Sequence, residues 1–171
     1  DQMEAFALGD RIVVMEHGQI RQVGTPQELF NHPANLYTAS FVGTPPMNLF
    51  RDVALKQGSD GWYVTLFDNK YLLPPAKAAG LTAADQGRKV TLGIRPVHIT
   101  LGDQGIEATV EHSDVVEAEM HIQLRVGQQE LLAIVPATNF GTFLRGRKVH
   151  FQLSPQRFHL FDPETEERIG L

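Results

Sequence analysis

The sequence predicts a mainly β protein: a small antiparallel barrel from about residue 45 onward, preceded by a helix–hairpin–helix segment of α/β character over residues 1–44. Short runs rich in β-branched and aromatic residues follow one another closely from Leu49 to Leu153, which points to a barrel rather than a parallel sheet. Asp60-Gly61 and Gly127-Gln128 supply tight turns between such runs. Thr44-Pro45-Pro46 separates them from a stretch whose signals are helix caps, because two prolines stiffen the chain and forbid helix continuation.

Asp1 and Glu4 have the spacing of an N-cap and its N3 carboxylate, and Ala5, Phe6 and Leu8 before Gly9 predict a short helix with a glycine stop. Ile12-Val13-Val14-Met15, the turn at His17-Gly18, and Ile20 with Val23 predict a hairpin. In Thr25-Pro26-Gln27-Glu28 a threonine cap, a proline in the first turn and a glutamate returning the capping bond start a helix that ends near His32-Pro33. A second helix from about Ala34 to Val42 places Leu36, Ala39 and Phe41 on one side and stops at Gly43. Strands are expected at Leu49–Lys56, Trp62–Phe67, Tyr71–Leu73, Lys89–Arg95, Ile106–His112, Glu119–Val126, Glu130–Val135 and Lys148–Leu153, with a brief helix around Pro75–Ala79.

Within Glu119–Val126, Met120, Ile122, Leu124 and Val126 share one face while His121, Gln123 and Arg125 face outward. Leu131-Leu132-Ala133-Ile134-Val135 does not alternate, which fits a strand buried in the barrel and equally one facing a second copy. In Leu92-Gly93-Ile94-Arg95-Pro96 the glycine allows close backbone approach, and the proline ends the strand before a helical turn at Val97–Ile99. Arg95 is thereby held at a strand end, where it either pairs with a local carboxylate or carbonyls or contacts a partner subunit. Trp62, Tyr63 and Phe67 read as core rather than as a base-stacking platform, since Asp60 and Asp68 flank them.

A 42% apolar, 20% charged composition over 171 residues can bury a core. The 15 Lys+Arg against 20 Asp+Glu give a net charge of -5, which removes the basic footprint of phosphate-backbone binding, so nucleic acid is not an expected partner. Without cysteine there is no disulfide, thiolate zinc site or cysteine nucleophile. No apolar run approaches a membrane span and no leader pattern opens the chain; Asp1 suggests a chain cut from something longer.

Catalytic patterns are missing. No Gly-Lys pair or G-x-G-x-x-G occurs to cradle a nucleotide, and no G-x-S-x-G to present a serine. His17, His32, His98, His112, His121, His150 and His159 are dispersed without the helical i, i+4 pairing of a metal site, although His112 and His121 can meet across a hairpin. Glu117 with Glu119, and Glu164 with Glu166 and Glu167, read as solvated groups. No catalytic, cofactor-binding or metal-ligating residue is assigned.

Four runs, taken in order, resemble the C-terminal part of the ATPase subunits of carbohydrate-uptake-type ABC importers. Asp1 to Ala5, Asp10 to Met15, Gly18 to Ile20 and Gln22 to Pro26 are similar to the stretch that follows the switch histidine of those ATPases. Phe41 to Asn48 is similar to the junction into their regulatory domain, Leu92 to Pro96 with His98 to that domain's best-known run, and His159 to Asp162 to its closing strand. Two departures stand out: Val97 occupies a position where glutamate is common, and Ser113-Asp114-Val115-Val116 lacks the usual turn glycine.

The resemblance implies that residues 45–171 form an OB-like antiparallel regulatory and dimerisation barrel and that residues 1–44 are the end of a nucleotide-binding domain. It implies no cofactor for this stretch, with ATP and magnesium serving the parent protein. The implied partners are a second copy as a homodimer, the transporter's membrane subunits through the parent, and in some members a regulatory protein, at the inner face of the cell membrane. Arg95, Leu131, Leu132 and Ile134 are the expected regulatory or interface residues. Glu164-Thr165 after the closing strand is similar to the tail of the glycerol-phosphate members, so a sugar or glycerol phosphate is the expected solute. The alternatives are a free-standing oxyanion- or oligonucleotide-binding barrel, and the ATPase subunit of an iron or polyamine importer.

Overall fold

A computed structural model describes residues 2–138 and 143–171, the side chains of Gln2 and Met3 excepted. The expected Asp1 cap lies outside the described residues. Helix α1 (Gln2–Leu8) closes with the Gly9 amide donating to the Ala5 carbonyl at 2.8 Å. Strands β1 (Ile12–Glu16) and β2 (Gln19–Gly24) pair antiparallel across a turn in which His17 and Gly18 both hold positive φ, 49° and 79°. A two-residue turn of that handedness matches the twist of the strands it joins.

Helix α2 (Pro26–Asn31) starts with the expected reciprocal cap: the Glu28 amide donates to Thr25 Oγ1 at 3.2 Å, and the Thr25 amide donates to Glu28 Oε2 at 2.8 Å. Those bonds to the ionised carboxylate hold Glu28 below its usual range. Helix α3 (Leu36–Phe41) begins later than the sequence suggested because Asn35 is its extended cap, accepting from the Thr38 amide at 2.9 Å. Val14, Leu29 and Val42 form a small core among these elements.

From Asn48 onward the chain is nearly all strand: β3 (Asn48–Gly58), β4 (Gly61–Leu66), β5 (Asn69–Leu72), β6 (Lys89–Ile94), β7 (Thr100–Gly102), β8 (Ile106–Val116), β9 (Glu119–Val126), β10 (Gln129–Pro136), β11 (Lys148–Gln152), β12 (His159–Phe161) and β13 (Arg168–Ile169). The barrel takes the form of two antiparallel sheets, ordered β10-β9-β8-β11-β7 and β13-β12-β6-β3-β4-β5, around one shared core. Phe151, Phe158, Leu92, Ile122, Leu124 and Leu131 are fully buried there, each worth roughly 1.5–3 kcal/mol relative to exposure. Phe67 meets Phe50 and Phe151 edge-on, at centroid separations of 5.3 and 5.4 Å. Trp62 belongs to this core, while Tyr63 is half-buried with the Lys70 ammonium 4.2 Å above its ring.

Three expectations are corrected. Pro75–Ala79 is a succession of turns from Pro74 to Leu81, not a helix. Strand β8 continues past His112 to Val116 through an irregularity after Val110. The short β7 and β13 were not expected. At Gly93 the expected close approach is real: a Cβ there would collide with Met47 Sδ. Met47 in turn joins Leu36, Ala39 and Phe161 in a cluster linking α3 to β12. Among the described residues no helix is long and apolar enough to cross a membrane.

Candidate functional site

Strand β6 ends at Ile94, and Pro96 opens a 3-10 turn (Pro96–His98), so Arg95 leaves the sheet in an extended conformation pointing toward α2 and α3. Its side chain is 2% exposed. Nε and Nη2 donate to the Phe30 carbonyl at 3.2 and 3.0 Å, and Nη1 donates to the carbonyls of Ala39 at 3.2 Å and Val42 at 2.8 Å. The last carbonyls of a helix have no partner inside it and carry its negative end. One guanidinium therefore caps the C-termini of both α2 and α3, while lying 4.0 Å over the Phe30 ring. Burial without a carboxylate lowers its pKa to about 10.

Beside this staple lies a hollow of about 290 Å³ lined by Asn31, His32, Lys77, His98, Gln156, Arg157 and His159. It is assembled from the end of α2, the turns around Lys77, the 96–98 turn, a second 3-10 turn (Pro155–Arg157) and the start of β12. Its rim residues Asn31, His32, Gln156 and Arg157 are exposed, whereas Lys77 and His159 are buried.

The electrostatics of the hollow are one-sided. Burial first, then the positive charges of Arg168 and Arg157, push Lys77 down to about 8. Burial, then Lys77, Arg168, Arg95 and His98, push His159 to about 2. His98 is lowered by burial and by Arg157 and Arg95, and Arg168 by burial alone. Arg168 donates from Nη1 to the Pro33 carbonyl at 3.1 Å and to His159 Nδ1 at 3.2 Å, which fixes His159 as the neutral acceptor. His98 Nδ1 and Arg168 Nε are buried without any hydrogen-bond partner. Among the described residues the Lys77 ammonium makes neither a hydrogen bond nor an ion pair.

The four residues expected to meet a partner are placed in the interior or tied to the chain itself. Arg95 is spent on Phe30, Ala39 and Val42. Leu131 and Ile134 are 1% and 7% exposed, and Leu132 is half-buried. Strand β10 is the edge of its sheet, but the Leu132 amide donates to Asn48 Oδ1 at 2.8 Å and Asn48 Nδ2 donates to the Leu132 carbonyl at 2.9 Å. In the non-alternating run Leu131, Ala133 and Ile134 are buried while Leu132 and Val135 are half-buried, and a side-chain amide stands where a neighbouring strand would bond. Asn48→Ala leaves both Leu132 groups without that partner and is expected to cost about 1–3 kcal/mol, read as a lowered urea midpoint.

His112 and His121 do not face each other: the register sets His121 opposite Asp114 and His112 opposite Gln123. His112 Nε2 lies 2.8 Å from Asp114 Oδ2, and His121 Nε2 lies 3.4 Å from Glu119 Oε2. Arg125 faces outward and pairs with Glu111 and Glu130. Among the described residues no three His, Asp or Glu side chains come together as metal ligands.

Against known proteins, residues 43–99 match the family described as the MalK OB fold domain and residues 92–161 match the TOBE domain. The sn-glycerol-3-phosphate import ATP-binding protein UgpC of Ruegeria sp. (strain TM1040) is 36% identical over 99% of this chain and 45% of its own length. The multiple sugar-binding transport ATP-binding protein MsmK of Streptococcus mutans is 35% identical over 99% of this chain and 48% of its own. UgpC of Salmonella typhi is 35% identical over 99% and 46%. The chain thus spans about half the length of the curated relatives it matches. The molybdate-bound crystal structure of the cytoplasmic molybdate-binding protein ModG shares the fold, with a TM-score of 0.51 at 15% identity over 68% of this chain and 96% of that one.

Proposed function

The chain belongs, across nearly its whole length, with the C-terminal OB and TOBE region of the ATP-binding subunits of sugar and glycerol-phosphate ABC importers, and on that premise we propose that it is the regulatory and dimerisation part of such a subunit, without catalysis of its own. The observation that carries this reading is the identity of 35–36% sustained over 99% of the chain. A second support is chemical: this stretch holds no glycine-rich phosphate loop with its lysine. ATP and magnesium are then handled by the rest of the subunit, and imported sugar or glycerol phosphate passes through the membrane subunits it serves. The subunit sits at the inner face of the membrane, peripheral to those partners.

In this reading residues 1–44 close the nucleotide-binding domain and residues 45–171 form the regulatory domain, with Arg95 transmitting position between them through α2 and α3. Two barrels associate about a two-fold axis. The contact leaves out Arg95, Leu131 and Ile134, since all three are buried.

Calorimetric titration with Mg-ATP should give no binding heat, and sedimentation of a chain starting near Thr44 should show a dimer. Micromolar ATP affinity would remove the non-catalytic reading. A barrel that stays monomeric at tens of micromolar would remove the dimerisation role.

A further inference from the structure

Lys77, His98, Arg157 and His159 come from three separate stretches of the chain and line one hollow, with the Arg168 guanidinium 3.2 Å behind the His159 ring. Elsewhere in this protein buried or half-buried cations are matched: Arg88 pairs with Asp85 and Asp162, and Arg95 with three carbonyls. Among the described residues no Asp or Glu lines the hollow. Concentrating positive charge in a low-dielectric recess is costly unless an anion completes it. His98 Nδ1 is moreover a buried ring nitrogen left unused, a state that native structures rarely keep without a role.

We propose that this hollow binds a phosphate dianion, either free or as the head of a small phosphomonoester, between Lys77, His98, Arg157 and His159. The geometry selects the class. Two cations, Lys77 and Arg157, with two imidazole rings between them, suit a compact dianion with tetrahedral oxygens, whereas a carboxylate is satisfied by a single guanidinium fork. At about 290 Å³ the hollow lies at the small end of ligand pockets, which run from roughly 300 to 1,000 Å³. That space admits a phosphate with a short polyol attached, and the amides of Asn31 and Gln156 at the rim suit hydroxyl groups. Among the described residues no aromatic ring other than the imidazoles lines the hollow, so a nucleobase would have nothing apolar to stack on. The bound dianion would sit between the end of α2 and the barrel, tightening the same junction that Arg95 staples. This site rests on the lining of the hollow and on the unused His98 nitrogen, and is independent of the transporter reading.

The test is calorimetric titration and thermal melting of the intact chain with inorganic phosphate and with sn-glycerol 3-phosphate, against sodium chloride at matched ionic strength. Saturable binding with a Kd of roughly millimolar or tighter is expected, with a rise in Tm that chloride does not reproduce. Stronger binding of the ester assigns the polyol to the rim amides, and equal binding assigns the dianion alone. Arg157→Gln removes an exposed guanidinium that makes no ion pair, so it should fold normally and weaken binding tenfold or more. Lys77→Met should do the same from the floor of the hollow. Should Lys77→Met fold poorly, NMR of His98 replaces it: its ring signals should move on saturation and titrate at higher pH, because a nearby anion favours the imidazolium. Absence of saturable binding by both probes, or binding undiminished in Arg157→Gln with His98 unmoved, overturns the site.

Discussion

Arg95→Ala is expected to destabilise the protein by about 3–5 kcal/mol and to expose residues 1–44 to protease before the barrel. The substitution empties a fully enclosed space and leaves the Phe30, Ala39 and Val42 carbonyls without their donors. Each orphaned buried carbonyl costs on the order of 1–3 kcal/mol, offset in part because the guanidinium no longer has to be desolvated. The cation–π contact with Phe30 is lost as well. Arg95→Lys separates charge from shape: an ammonium keeps the charge but cannot spread donors across both helix ends as the planar fork does, so it should recover only part of the loss. The measurement is a urea midpoint for each variant, with limited proteolysis alongside. Unchanged midpoints would mean the helix ends are satisfied some other way, and cleavage starting inside the barrel would contradict the proposed division at Pro45.

What the sequence made legible follows the range of the interactions involved. The Thr25–Glu28 cap closes over three residues, so its chemistry is written in one tetrapeptide. The strands of the barrel announce themselves by alternation, as in Met120, Ile122 and Leu124, whose side chains are all buried. Strands β7 and β13 are three and two residues long, too short for any period to register. The Pro75–Ala79 turns carry helix-forming alanines, yet Pro74 and Pro75 precede them and Gly80 at φ 83° ends them, leaving room for turns only. Arg95 was readable as a residue held at a strand end, but its partners lie 53 to 65 positions away along the chain. The hollow was the least legible feature. Lys77, Arg157 and Arg168 belong to no motif, and His98 and His159 stood out only as members of two familiar runs; nothing local says that these five meet.

Stability is expected to fall as the pH drops below 6.5, and His159 is the main cause. Its folded-state pKa, about 2, lies far below the model-peptide value of 6.5 because burial excludes the imidazolium and Lys77, Arg168, Arg95 and His98 repel it. Below pH 6.5 the unfolded chain takes up a proton that the folded chain refuses, so the unfolded state gains about 1.4 kcal/mol per pH unit for this one group. Between pH 6.5 and roughly pH 5 that amounts to about 2 kcal/mol. His98, also lowered, acts in the same direction. Carboxylates do not confuse this window: Asp162, held at about 2 against 3.8, loses its contribution only at lower pH. Lys77 works at the other end, where stability should rise as the pH passes from about 8 toward 10.5 and the folded chain sheds a proton first. Urea midpoints for the native chain and His159→Asn, taken from about pH 7 to pH 5, check the assignment. The asparagine keeps an acceptor for Arg168 but does not titrate, so its acid slope should flatten markedly; an equal slope would place the acid sensitivity elsewhere. Saturating phosphate should flatten the native slope too, because a phosphate anion in the hollow stabilises the protonated rings that the neighbouring cations otherwise forbid.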